Sequence, residues 1–153
     1  MIHIPFLTKI KQIDKTKLLC LLICFAVLAI GLMPYLFIRT SSTYISSFLG
    51  MFFDFQQISL DENSLLYMLL TSLFSDFCWA FSMPFALFAF TSGRFSKYFY
   101  ILTMPIIGCV FELFQFFGVI DGVGDIIDAF IYFSASFLGY TTIERGILNG
   151  KQA

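Results

Sequence analysis

Four apolar runs, each close to the length that crosses a bilayer, leave this chain few folds to choose from. They are Leu18–Ile38, a run within Leu65–Phe90, Tyr98–Phe117 and Asp125 to about Ile143. About 20 residues rising 1.5 Å each cover the hydrocarbon core. Inside lipid every backbone polar group must be satisfied within the segment, so such runs become helices. Composition agrees: hydrophobic residues make up 59% of the 153 and charged residues only 12%. A soluble domain carries roughly 25% charged residues. The sequence therefore predicts one all-α, polytopic membrane domain over 1–153, with transmembrane helices at about 18–38, 72–90, 98–117 and 125–143. The 39–63 stretch, too short in apolar residues to span, is expected at the interface, with Asp54 facing water. The part of the second run before about Ser72 is expected there as well. The first run is longer than a signal-peptide core and no small-x-small site follows it, so it reads as a retained span.

Basic residues set the orientation. A cytoplasmic N-terminus places Lys9, Lys11, Lys15, Lys17, Arg94, Lys97, Arg145 and Lys151 inside and leaves Arg39 outside. The expected arrangement is N-in, C-in, with cytoplasmic tails at 1–17 and 144–153. No basic cluster suits nucleic acid. The four cysteines, Cys20, Cys24, Cys78 and Cys109, fall within spans and read as small apolar packing residues. His3 is the only histidine and lies in the polar N-terminal tail, which excludes a His-ligated zinc or a Ser-His-Asp triad within the membrane.

The informative stretch is Cys109–Gly139, CVFELFQFFGVIDGVGDIIDAFIYFSASFLG, which reads as a helical hairpin around Gly118, Gly122 and Gly124. A carboxylate near a bilayer centre costs roughly 2.5–3.5 kcal/mol on insertion scales, so acids there call for a reason. The expected topology gathers them: Asp76 opens the second span from the outer side, Glu112 nears the end of the third there, and Asp125 and Asp128 open the fourth. Glu112 and Gln115 are three apart, as are Asp125 and Asp128, and Tyr132 is four beyond Asp128, so each set shares a helix face. Ser72, Ser75, Asp76 and Trp79 form a similar stripe, expected to turn toward the bundle. Asp125 also suits a plain N-cap, and Asp121, in the loop, reads as solvated.

One arginine, Arg39, cannot balance these acids. The remainder must be neutral acids, or face a bound cation or a cationic substrate group. Oxygen ligands suit a hard divalent ion such as Mg²⁺, Mn²⁺ or Ca²⁺, with Glu112 and Asp128 as the candidate ligands. The structural alternative is that the acids serve helix packing alone, hydrogen-bonded to Gln115, Tyr132 and the serines.

The second half, about residues 72–140, resembles the VanZ-like membrane proteins of bacteria. The resemblance rests on Glu112-x-x-Gln115, the turn glycine Gly118, and Asp128 followed by Gly139. The string Asp76, Phe77, Trp79, Ala80 and the Asp125-x-x-Asp128 and Tyr132 arrangement resemble short members. The chain departs from the family in lacking an arginine in the turn, in Tyr132 where an asparagine is usual, and in Ala135 where a glycine is usual. The resemblance implies a multi-pass protein of the bacterial inner membrane, associated with the cell envelope; the family's namesake is linked to low-level teicoplanin resistance. Three functions are compatible with these residues. The first is a binding protein, for a lipid-linked or antibiotic-related envelope ligand, in a pocket of Asp76, Glu112, Gln115, Asp125, Asp128, Tyr132 and Arg39. The second is a metal-dependent enzyme acting on a lipid head group. The third is a proton- or cation-coupled transporter, for which four spans imply a homo-oligomer.

Overall fold

The computed structural model describes residues 15–38, 58, 60–61, 64–120 and 125–148. Among these the protein is helical without strands. Helix α1 is Lys15–Phe37 and α2 is Leu65–Thr91. Helix α3 is Lys97–Phe116, and α4 is Ile126–Thr142, continued by a π-helical turn Ile143–Leu148. All four are long and apolar enough to cross a membrane. Arg39, Asp54, Asp121 and nearly all of the 39–63 stretch lie outside the described residues.

The boundaries of α1, α3 and α4 fall within a few residues of those expected, but α2 starts earlier. It runs unbroken from Leu65, where the Ser64 hydroxyl accepts the Tyr67 N–H at 3.1 Å as an N-cap. A π-helical turn at Leu69–Leu73 then carries it into the main α-helical part, Phe74–Thr91. Its far end is set by Ser92 and Gly93, both at positive φ (59° and 70°), which turn the chain into α3 within five residues.

Helix α2 is the central element. It packs extensively on α1 and on α4, α3 packs mainly on α4, and α2 touches α3 less. One core cluster joins the start of α1 (Cys20, Cys24), the end of α2 (Phe85, Phe88, Ala89), the start of α3 (Tyr100, Ile101) and the end of α4 (Tyr140, Ile143). Successive helices therefore alternate in direction, and α2 runs parallel to α4. The end holding this cluster also carries Lys15, Lys17, Arg94, Lys97 and Arg145, and is called the basic end below.

The distribution of side chains inverts that of a soluble bundle. Phe25, Phe90, Phe116 and Ile126 point outward, while Ser75, Ala80, Ser82, Ala135 and Ser136 are buried between helices. Without a hydrophobic drive between helices in lipid, close packing of small residues and interhelical hydrogen bonds take over. Gly31 lies so near α2 that an added Cβ would stand 2.6 Å from the Cys78 Cβ. There the Ser75 hydroxyl donates to the Gly31 carbonyl at 2.9 Å. On the opposite face of α2, Gly139 of α4 abuts the Phe81 carbonyl, which leaves no room for a side chain.

Pro84 explains the second hydrogen bond of this packing. A proline has no N–H, so the carbonyl four residues earlier, that of Ala80, loses its intrahelical donor. Ser136 of α4 supplies one: its hydroxyl donates to the Ala80 carbonyl at 3.2 Å, and both residues are buried. Ser136→Ala is expected to cost about 1 kcal/mol, in the range of interhelical hydrogen bonds in membranes. Pro84→Ala returns a backbone donor to Ala80, so in that background the same change should cost much less. Unfolding of the four proteins of this cycle in mixed micelles measures the difference.

Candidate functional site

The acid-bearing end of the bundle is built around the α3–α4 hairpin. Helix α3 stops at Gly118, whose φ of +67° favours glycine. The Phe117 N–H donates to the Leu113 carbonyl and the Gly118 N–H to the Gln115 carbonyl, each at 3.0 Å. Helix α4 restarts at Asp125, whose carboxylate accepts the Ile127 N–H at 2.9 Å. The N-cap reading of Asp125 is thus what the structure displays.

Glu112 ties the two helices together. Its Oε2 accepts the backbone N–H of Asp125 at 2.8 Å, and its Oε1 accepts the Tyr132 hydroxyl at 3.3 Å. One carboxylate thereby holds both the first residue before α4 and a side chain two turns along it. Tyr132 is nearly buried because its ring lies across Gly108 of α3, where any side chain would collide with it. The glycine lets α3 and α4 cross closely, and the crossing fixes the phenol beneath Glu112.

Asp76 and Asp128 complete the cluster. Tyr132 lies within electrostatic reach of Asp76, Glu112 and Asp128, and Asp128 within reach of Glu112 and Asp125. Both aspartates are half-buried. Among the described residues, Asp128 has no hydrogen-bond partner. Beside the cluster a groove of about 420 Å³ opens between α3 and α4, lined by Cys109, Glu112, Leu113, Phe116, Asp125, Ile126 and Ala129. Its lining is mostly apolar, with Glu112 and Asp125 as its carboxylates.

Several expected placements change. Only Ser75 and Asp76 of the α2 stripe turn inward; Ser72 and Trp79 are exposed, because the face that meets α1 and α4 is carried by Ser75, Cys78, Ala80 and Ser82. Cys109 is exposed beside the groove, unlike the buried Cys20, Cys24 and Cys78. Gln115 is half-buried one turn beyond Glu112. The divalent-ion expectation finds no cage, since no three His, Cys, Asp or Glu side chains among the described residues are grouped to hold a metal. Glu112 moreover commits both oxygens to protein hydrogen bonds.

Nothing local in the sequence signals the Gly108–Tyr132 crossing, or Glu112 reaching the Asp125 backbone 13 residues away. No family model, curated protein or solved structure matches this chain.

If Glu112 is the tie described, Glu112→Ala should destabilise more than Glu112→Gln, which keeps an oxygen acceptor. A double-mutant cycle with Tyr132→Phe should give a coupling of about 0.6 kcal/mol, within the range seen for hydrogen bonds between membrane helices. Additive effects of the two substitutions would show that the bond at 3.3 Å contributes nothing.

Proposed function

We propose that this chain is a VanZ-like, multi-pass protein of the bacterial inner membrane that binds an envelope ligand at its acidic end. The observation that carries the reading is the convergence of Asp76 from α2, Glu112 from α3 and Asp128 from α4 around one buried phenol, with Asp125 next to Glu112 and Asp128. Acids drawn from three helices into one half-buried site are costly in a membrane and mark functional sites by default. The gathering of Lys15, Lys17, Arg94, Lys97 and Arg145 at the opposite end supports an N-in, C-in arrangement, with the acids in the outer leaflet.

The adjoining groove gives the ligand its character. Its apolar walls suit an acyl chain or another apolar body, and the acid cluster beside it, in which Asp128 neighbours the lining residues Glu112 and Asp125, suits an amino or similarly positive group. Asp128 is the recognition residue in this reading, since Asp125 caps α4 and Glu112 holds the hairpin. Binding needs no turnover, and sequestering an amphiphilic antibiotic or a lipid-linked precursor would lower susceptibility to drugs that act at the outer leaflet.

Expression in a glycopeptide-susceptible bacterium tests the reading. The wild-type protein is expected to raise the inhibitory concentration of teicoplanin, and Asp128→Asn to return it to that of the empty vector at equal membrane abundance. Resistance that survives Asp128→Asn would remove the acid cluster from the function, and no wild-type effect would remove the resistance role.

A further inference from the structure

A second groove lies at the basic end, where α3 begins and α4 finishes, with a volume of about 440 Å³. It shares no residue with the acidic site and stands independently of the function proposed for that site. Its inner part is apolar, formed by side chains that include Ile101, Phe133 and Phe137, and its rim carries Lys97, Glu144 and Arg145. The geometry points to an anionic phospholipid as the occupant, its phosphodiester between Lys97 and Arg145 and one acyl chain along Phe133 and Phe137.

Three features favour that occupant. First, the two cations come from different helices and reach the same groove, and both are exposed at the end of a span, where a lipid head group lies. Among the described residues neither forms an ion pair; Lys97 stands 5.3 Å from the centroid of the Tyr98 ring. Second, with Glu144 included the rim carries a net single positive charge, which complements the single negative charge of a phosphodiester without a head-group amine. Basic pockets between membrane helices on this kind of face recognise anionic head groups. Third, the groove mouth coincides with the start of α3, where Ser96 makes no side-chain cap and the helix dipole favours an anion. The apolar inner part then continues from the head-group level into the span, as a lipid does.

Glu144 weakens the attraction for a phosphodiester without cancelling it, since two cations face one carboxylate on the rim. The test uses the full chain in nanodiscs of mixed dioleoyl phosphatidylglycerol and phosphatidylethanolamine, released into the gas phase for native mass spectrometry. Retained phosphatidylglycerol should predominate. Lys97→Gln and Arg145→Gln should each lower its retention roughly fivefold, and Glu144→Gln should raise it. All three side chains are exposed, so these variants are expected to fold. Equal retention of the two lipids by the wild type, an unchanged preference in the Lys97→Gln/Arg145→Gln protein, or a loss with Glu144→Gln would each overturn the assignment. Position is read separately. Trp79 is the sole tryptophan, so Phe137→Trp in a Trp79→Phe background reports on the groove alone. Chain-brominated phosphatidylglycerol should quench it more strongly than brominated phosphatidylethanolamine, and equal quenching would contradict the site.

Discussion

The carbonyl of Ala80, stripped of its own helical donor by Pro84, is the constraint on which the arrangement of α2 and α4 depends. In water such a group would be solvated; in a bilayer another helix must satisfy it. Ser136 does so, and this sets α4 beside α2 with an offset of 56 residues. The two helices run parallel, so contacts at a similar offset follow along their length. Gly139 meets the Phe81 carbonyl further toward the basic end. One turn toward the acidic end, Asp76 comes level with Tyr132, and the two are electrostatically coupled. A backbone requirement midway along α2 thus fixes the level at which an acid of α2 meets the hairpin.

The hairpin brings the rest. Gly108 admits the Tyr132 ring, and Glu112 then reaches both the phenol and the first amide of α4. Each acid therefore has a distinct part. Asp125 caps a helix, Glu112 joins two helices, and Asp128 is left without a hydrogen-bond partner among the described residues. Packing accounts for the first two. It does not account for Asp128, which is the reason for assigning that residue to a ligand. The molecule is also polar in the larger sense, with carboxylates at one end of the bundle, basic residues at the other, and a groove between α3 and α4 at each.

Much of this was legible in the sequence, for identifiable reasons. Hydrophobic length alone located α1, α3 and α4, and alternation of direction placed Asp76, Glu112, Asp125 and Asp128 at one end. Capping chemistry was readable at Asp125 because it is local. The start of the α2 helix was not, because Leu65–Ser72 is apolar throughout and only the Ser64 cap shows where the helix begins. Facing was less legible still. Ser72 and Trp79 share a stripe with Ser75 and Asp76 by spacing, yet neighbours on two sides of α2 select which of them is buried. The pairing of Ser136 with Ala80, and of Gly108 with Tyr132, joins positions that no local period relates.

The acid cluster is proposed to receive a positively charged amphiphile, with Asp128 as its contact. The most direct measurement is thermal unfolding of the purified protein in a non-ionic detergent with octylammonium or with octanol, which differ only in the charged group. A ligand that binds only the native state raises the midpoint. The predicted result is a saturable rise with octylammonium, absent with octanol and absent in Asp128→Asn. An equal response to the alcohol, or one that persists in Asp128→Asn, would contradict the claim.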